Sequence, residues 1–297
     1  MRTRRRRLTN QKGGRISWTY KRPDHIPYNE ALGPRKCHPG NKEATDESCI
    51  PASALNGQQP LQFCQKHGGC KDGTVTDEEL LKVVGPDTRK TWEKKFFRPK
   101  APEVWAKDPN DWLDNHSIEA VLKQYEEADP TFVSLGAVPI DFAAPSPYTK
   151  TQQCLLPEFC KVNINDLRTK GKKGVGMVFN LDPHFKDGSH WVSMYLDVEE
   201  PACYYFDSYG YRPPKQIRQL METFWSQDNN CKLAYNGRRF QYSESECGIY
   251  SIYFIVCMHS GADFKKFVKH RVKDNVMLFL RSWFFNTEPI KKSAKSA

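Results

Sequence analysis

Four residues in the C-terminal half of the chain could together perform nucleophilic chemistry. Cys247 lies immediately before a predicted helix that begins at Gly248, and the unpaired amides at a helix N-terminus stabilise an anion. A cysteine attacks an amide as its thiolate, so it needs surroundings that lower a thiol pKa from about 8.5. His190, at the start of a predicted strand, could take the thiol proton as a general base. These residue types therefore predict acyl transfer through a cysteine nucleophile.

Asp207 and Gln241 complete the candidate set. Asp207 ends the next predicted strand, and if the two strands are neighbours its carboxylate can accept the Nδ1–H of His190 and fix the tautomer. Gln241 precedes Cys247 by six residues, so its amide could donate to the oxyanion beside the Cys247 backbone N–H. Each residue alone also has an ordinary structural interpretation, such as a buried thiol, a turn aspartate or a polar strand residue. Their combination is what makes the prediction specific.

Three segments carry a resemblance to a known family. They are GSHW at 188–191, YFDSYG at 205–210, and Gln241 followed after five residues by Cys247 and Gly248. In their order, and in the spacing of 17 positions from the histidine to the aspartate, they resemble the ubiquitin-like-protein (SUMO-specific) protease superfamily, which includes the adenovirus protease. The resemblance covers roughly residues 106–286. It implies a cysteine protease with a His-Asp-Cys triad and an oxyanion glutamine.

The implied fold is α+β, with a small, mostly antiparallel sheet flanked by helices and a papain-related core in permuted order. Hydrophobic periodicity predicts the elements that position the site. Predicted strands lie at 176–181, 191–198, 202–206, 231–235 and 238–241. Predicted helices lie at 76–83, 88–97, 118–127, from 213 onward with Ile217, Leu220, Met221 and Trp225 buried, and at 248–259, 263–268 and 274–285. The helix at 248–259 is apolar nearly all round, so we expect it at the centre of the domain.

A closer resemblance is to the polyprotein-processing proteases of African swine fever virus and related large DNA viruses. It is carried by ESCI at 47–50, SHWV at 189–192, YFDS at 205–208, ECG at 246–248 and the final helices. It implies an N-terminal arm domain at 31–105, a catalytic core at 106–286, and cleavage of structural polyproteins at Gly-Gly-Xaa sites during virion maturation, in the virion and the host cytoplasm. Glu246 stands where cellular SUMO proteases usually have Asp, and Asp207 stands where the swine fever enzyme has Asn.

Two tryptophans are predicted to bind substrate. Trp191 follows His190, and the resemblance implies that it narrows the substrate channel so that only Gly-Gly fits, because a large rigid ring near the nucleophile excludes side chains. The alternative interpretation is that Trp191 is an ordinary half-buried aromatic residue of a strand. The WLD segment at 112–114 resembles the opening of the family's catalytic domain, which makes Trp112 the second candidate.

The positive charge of the chain is concentrated at its N-terminus. The net charge is +10, and the first 22 residues hold nine Lys and Arg residues and no acid, so the rest is close to neutral. We predict a disordered basic tail at 1–30 and a second tail at 287–297. The first tail could bind DNA or an acidic partner, act as a targeting signal, or only aid solubility. Its densest part consists of Arg4, Arg5, Arg6 and Arg7. The bond between Gly14 and Arg15 could be a self-cleavage site.

The cysteine content and the hydropathy predict a reducing compartment. Ten cysteines without an apolar segment behind the basic N-terminus predict a protein that is not secreted and has free thiols. The longest apolar run, at 249–258, is about half a bilayer span, so we predict no membrane contact. Cysteines and histidines between residues 37 and 70 lack the paired Cys-x-x-Cys spacing of zinc sites. No metal and no cofactor is predicted.

Three other functions are compatible with parts of this pattern. An isopeptidase that removes SUMO or ubiquitin would use the same chemistry but needs a broad docking surface for the modifier. An acyltransferase would need a cofactor site, and no motif for one is visible. A nucleic-acid-binding virion protein with a vestigial site would not need the complete set of four residues.

Overall fold

A five-stranded mixed sheet forms the frame of the fold in a computed structural model, which describes residues 36–45, 47–70, 75–147 and 153–286. The strands are β1 (Phe132–Pro139), β2 (Gly174–Asn180), β3 (Trp191–Asp197), β4 (Ala202–Phe206) and β5 (Lys232–Tyr235). They lie in the order 1-2-3-4-5. The two central pairings are antiparallel and the two outer pairings are parallel. The predicted α+β class is confirmed, with the antiparallel pairs confined to the centre of the sheet.

Helices surround this sheet. In the described residues they are α1 (Pro60–Lys66), α2 (Asp77–Val83), α3 (Pro86–Phe96), α4 (Asn115–Ala128), α5 (Pro157–Cys160), α6 (Ile164–Thr169), α7 (Lys215–Gln227), α8 (Cys247–His259), α9 (Phe264–Lys269) and α10 (Asp274–Phe284). The capping box predicted at the start of α2 is present: the Glu79 N–H donates to the Thr76 hydroxyl, and the Glu79 carboxylate accepts the Thr76 N–H. Local capping chemistry therefore sets where this helix begins.

The core lies on both faces of the sheet. α8 is buried from Cys247 to Met258 and packs on the same face as α4 and α10. α7 packs on the opposite face, where it meets Val192, Met194 and Leu196 of β3. Alternate residues of β3 therefore enter different cores, as the period of two in its sequence predicts. α8 is apolar all round because the sheet covers one side and helices cover the others.

Three local predictions are wrong, each for a physical reason. Residues 238–241 form no strand, because the amides of Phe240 and Gln241 both donate to the Ser208 carbonyl at 2.7 and 2.8 Å. Trp225 is half exposed, and Phe224 takes its place on the buried stripe of α7. β1 was not predicted, because a register shift beside Gly136, whose φ is +86°, interrupts its alternation.

Six cysteines are paired, which contradicts the prediction of free thiols. The disulfides are Cys37–Cys49, Cys64–Cys70 and Cys154–Cys160. Their Cα atoms lie 5.2, 5.4 and 6.6 Å apart, within the range that a disulfide spans. The partners are only 6 to 12 residues apart, so local turns bring them together. Two of these bonds join four of the cysteines that were considered for zinc. Cys203, Cys231, Cys247 and Cys257 are free and buried.

The region before residue 100 has an apolar cluster of its own. It includes Cys37, Ile50, Leu55, Leu80 and Trp92, and is separate from the two clusters on the sheet. The arm domain at 31–105 stays a prediction, as do the other domain boundaries. The predicted tails, with Arg4 to Arg7 and the Gly14–Arg15 bond, lie outside the described residues. No helix in the part of the chain that the structure describes is long and apolar enough to cross a membrane.

Candidate active site

The antiparallel pairing of β3 and β4 brings His190 and Asp207 together. Ser193 pairs with Phe206, so the start of β3 lies beside the end of β4. His190 Nε2 lies 2.7 Å from Asp207 Oδ1, and both side chains are buried. The predicted contact through Nδ1 is therefore wrong, because Nε2 is the nitrogen that faces the carboxylate. Because Nε2 faces Asp207, Nδ1 is the ring nitrogen left for the thiol.

Cys247 is the first residue of α8 rather than the residue before it. Its side chain is buried, and its interaction with His190 is one of the causes that raise the pKa of that imidazole. At this position Cys247 lies in the first turn of α8, whose amides have no acceptor within the helix. The structure therefore brings together His190, Asp207 and Cys247, as the sequence predicted.

The electrostatics of His190 favour the protonated imidazole. Burial lowers the pKa of His190, but the hydrogen bond to Asp207 and the hydrogen bond and charge of Cys247 outweigh it and raise this pKa to about 9. The imidazole therefore carries a proton at neutral pH when the thiol has lost one. Such an ion pair is the reactive form of a cysteine nucleophile.

Gln241 lies beside this group, and its side-chain amide is held at both ends. It is fully buried, its Oε1 accepts from the Ser208 hydroxyl at 2.6 Å, and its Nε2 donates to the Ser243 carbonyl at 2.9 Å. Nε2 carries two hydrogens, and the bond to the Ser243 carbonyl uses one of them. Ser208 follows Asp207 directly, so the same turn fixes the aspartate and the glutamine.

The two predicted tryptophans lie in different surroundings. Trp191 is buried, and its Nε1–H donates to the Leu113 carbonyl at 2.7 Å. The Leu113 side chain lies 3.0 Å from the point where a Cβ on Gly248 would be, so the 112–113 segment packs against the start of α8. Trp112 is 41% exposed beside it. Trp191 is thus buried and held by a hydrogen bond, whereas Trp112 is partly exposed to solvent.

Two asparagines position His190 and Asp207, and neither was predicted from the sequence. Asn236 Oδ1 accepts the Asp207 N–H at 2.8 Å, and its Nδ2 donates to the Asp207 carbonyl at 2.6 Å. Asn180 Oδ1 accepts from the amides of Asp182 and Ser189, which fixes the loop before His190. Neither residue lies in a recognisable motif, because each is brought to the site only by the neighbouring strand.

A buried ion pair holds the residue before the nucleophile. Arg281 Nε and Nη2 lie 3.0 and 3.1 Å from the two carboxylate oxygens of Glu246, and both side chains are buried. The same guanidinium donates to the Asp111 carbonyl at 2.7 Å and packs over the Trp105 ring. Arg281 therefore joins α10, the segment before α4 and the start of α8 at one point. The sequence analysis noted Glu246 only as a departure from cellular relatives.

Comparison with known proteins decides the family. Residues 172–293 match the model described as the Ulp1 protease family, C-terminal catalytic domain. A putative thiol protease of Acanthamoeba polyphaga mimivirus is 30% identical over 273 residues, which covers 89% of this chain and 86% of that protein. The chain belongs to the Ulp1 protease family. It is a cysteine protease, and the family predicted from the sequence is confirmed.

Other relatives of this Ulp1-family protease agree with its fold. A SUMO-1 cysteine protease of African swine fever virus is 31% identical over 117 residues, covering 37% of this chain and 43% of that protein. The crystal structure of a protease from African swine fever virus superimposes with a TM-score of 0.65 at 19% identity, covering 89% of this chain and 100% of that chain. The structural likeness extends beyond residues 172–293 and includes the part before the sheet.

The buried ion pair of this Ulp1-family protease predicts a large effect of one substitution. Glu246→Gln leaves the Arg281 charge without a counter-charge, so we expect a loss of about 3–5 kcal/mol in the free energy of unfolding. Urea denaturation measures it. Glu244→Gln is the matched control, because Glu244 is exposed two residues away, and its effect should stay within about 0.5 kcal/mol. Equal stability of the two variants would contradict the assigned importance of the pair.

The raised pKa of His190 predicts a pH dependence of cleavage. The pKa of His190 is raised from 6.5 to about 9, so the interaction of the protonated imidazole with Asp207 and Cys247 is fully present below pH 6.5. It is lost as the pH rises through about 9. Since a neutral imidazole cannot protonate the leaving amine, kcat/KM should fall on this alkaline side. In Asp207→Asn the amide supplies no charge, so the fall should move to lower pH. Asp228→Asn, which changes a half-buried acid paired with Arg168 away from this pair, should keep the wild-type profile.

Proposed function

We propose that this cysteine protease is an endopeptidase that cleaves viral structural polyproteins at Gly-Gly-Xaa sites during virion maturation. In this proposal Cys247 is the nucleophile, His190 is the general acid and base, Asp207 orients the imidazole, and Gln241 stabilises the oxyanion. The proposal also includes action in the virion and at assembly sites in the host cytoplasm, with an N-terminal arm at 31–105.

The proposed reaction follows from the protonation states of the site. The Cys247 thiolate attacks the glycine carbonyl, and the negative charge moves to the oxygen, which accepts from Gln241 Nε2 and the Cys247 backbone N–H. His190 gives the Nδ1 proton to the leaving amine as the peptide bond breaks. His190 then takes a proton from water, which attacks the thioester. The proton returns to the sulfur or stays on the imidazole, and the acid product leaves.

One observation carries the catalytic part of the proposal. A buried histidine contacts a buried carboxylate through one ring nitrogen, and its pKa is raised by that carboxylate and by the thiol at the first position of α8. A buried histidine that serves only the core needs no such pair of partners. The arrangement matches the requirement of a thiol protease for a paired thiolate and imidazolium.

The packing of Trp191 and Leu113 supports a preference for glycine residues in the substrate. Trp191 is held by its hydrogen bond to Leu113, and Leu113 packs against Gly248, so neither wall can move without breaking contacts with the other. A rigid indole next to the nucleophile leaves room for backbone but excludes side chains. The viral assignment is supported by the mimivirus relative, which is similar over 89% of this chain. Basic residues at 4–7 would add contact with DNA or an acidic partner.

A second candidate is an isopeptidase that acts on ubiquitin-like modifiers. It is favoured by the relative from African swine fever virus that bears the name SUMO-1 cysteine protease. Both functions use the same reaction, so they differ in what contacts the protein outside the cleft. A polyprotein endopeptidase recognises a short extended segment, whereas an isopeptidase also needs the folded modifier.

A matched substrate panel separates the two candidates. Peptides with Gly-Gly-Xaa, the same peptides with Ala-Ala-Xaa, and SUMO and ubiquitin conjugates are incubated with the wild type and with Cys247→Ala. We expect cleavage of the Gly-Gly peptides alone, at a rate that falls to background in the variant, because no other group supplies a thiolate. Cleavage of folded conjugates without cleavage of peptides would favour the isopeptidase. Equal cleavage of the Ala-Ala peptides would remove the proposed selection by Trp191.

The oxyanion role of Gln241 predicts a loss of kcat. Removing one oxyanion donor costs about 10²–10³-fold in kcat, so Gln241→Ala should lose about that much with a smaller change in KM. Peptide cleavage under saturating conditions measures it. Gln216→Ala, which truncates an exposed glutamine on α7, is the control and should keep the wild-type kcat. A folded Gln241→Ala protein with an unchanged kcat would exclude the role.

A further inference from the structure

We propose that Tyr209 and Arg239 are positioning residues that hold His190 and Gln241 in fixed relation to each other across the active site. The inference rests on the proposed function, since it assigns how the general base and the oxyanion donor are kept in place. Neither residue belongs to the four that the sequence motif identifies. Both lie next to those residues and contact them directly.

The aromatic ring of Tyr209 packs on the imidazole of His190. The ring centroids lie 4.6 Å apart with an interplanar angle of 23°, a stacked arrangement. The β3–β4 register, in which Ser193 pairs with Phe206, places His190 opposite Tyr209 when it is continued by three residues. The Tyr209 N–H also donates to Asp207 Oδ1 at 2.8 Å, the oxygen that faces His190 Nε2. Tyr209 therefore contacts the dyad through its backbone and its ring.

The stack supplies a restraint that the hydrogen bond lacks. A single bond from Nε2 to Asp207 fixes one edge of the imidazole but permits the ring to tilt about that edge. Tilting would carry Nδ1 away from the sulfur of Cys247. A tyrosine ring parallel to the imidazole opposes the tilt, and its π face also favours the protonated form. The edge contact and the face contact together define the direction of Nδ1.

Arg239 connects this ring to the opposite side of the site. Its guanidinium carbon lies 5.0 Å from the Tyr209 ring centroid and 4.6 Å from that of Tyr242. Its Nε–H donates to the Gln241 carbonyl at 2.6 Å. One side chain thus contacts the tyrosine that packs on His190 and the backbone of the candidate oxyanion donor. A shift of Arg239 would alter both positions.

A second arginine anchors the same segment from its other end. Arg271 lies 4.3 Å from the Tyr242 ring centroid, and its Nε–H donates to the Phe240 carbonyl. It is itself held by Asp274, which also accepts the Tyr242 N–H. The consecutive carbonyls of Phe240 and Gln241 are therefore each capped by an arginine. The order His190, Tyr209, Arg239, Tyr242, Arg271 forms a continuous stack of rings and guanidinium groups.

The test compares Tyr209→Leu, Tyr209→Phe and Arg239→Ala with the wild type in the full chain. Tyr209→Leu removes the stack, and because a misplacement of about 1 Å can cost 10²-fold, we expect kcat to fall about 10- to 100-fold with little change in KM. Tyr209→Phe keeps the aromatic ring and should therefore retain the wild-type kcat. Arg239→Ala should lower kcat about 10-fold. Arg238→Ala is the matched control, because its neighbouring guanidinium donates to Lys269 and not to this stack.

A second readout needs no substrate. The rate at which iodoacetamide alkylates Cys247 at pH 6 reports how much thiolate the imidazolium maintains, with Cys247→Ala as the background for the other thiols. It should fall about 10-fold in Tyr209→Leu and stay unchanged in Tyr209→Phe and Arg238→Ala. If Tyr209→Leu is less stable to heat but alkylated at the wild-type rate, the residue is merely structural and the inference is overturned. If no Gly-Gly peptide is cleaved by the wild type, alkylation still tests it, so the two failures are distinguishable.

Discussion

The hydrogen bond between His190 Nε2 and Asp207 Oδ1 is the constraint on which the site depends. It exists because β3 and β4 are antiparallel neighbours, so the first residue before one strand meets the first residue after the other. Both groups are buried, and a buried charge is tolerated only when it is paired and hydrogen-bonded. The Tyr209 N–H also donates to this carboxylate, and Asn236 holds the Asp207 backbone through its N–H and its carbonyl. The position of the His190–Asp207 pair therefore depends on the pairing of the two strands.

Cys247, the proposed nucleophile, is positioned by a different part of the molecule. α8 is enclosed by the sheet and helices, so its direction cannot change without breaking the core, and Cys247 at its first position is fixed as a consequence. Glu246 and Arg281 add a second anchor at the same point. A buried ion pair of this kind costs desolvation and adds little net stability. Its value here is geometric, because it ties the start of α8 to α10 and to the segment that carries Leu113.

Different parts of the fold therefore position different residues of the site. The sheet places the base, the central helix places the sulfur, and the 112–113 segment closes the side where Trp191 lies. Each contribution is held by hydrogen bonds to backbone, which tolerate little displacement. The membership in the Ulp1 family agrees with this arrangement of parts.

The sequence by itself determined the family, the α+β class, most strands and helices, and the set of four residues brought together. These follow from local signals: period-two alternation, capping residues and the spacing of His190, Asp207, Gln241 and Cys247. Only the tertiary structure decided which imidazole nitrogen faces the carboxylate, which cysteines pair, and how Arg281 and the tyrosine–arginine stack support the site. The Arg281 contacts join residues 35 to 172 positions apart, and the choice of imidazole nitrogen depends on side-chain orientation, so no local pattern encodes either. The cysteine partners lie only 6 to 12 residues apart, but each has other cysteines it could pair with, so spacing alone does not select the partner.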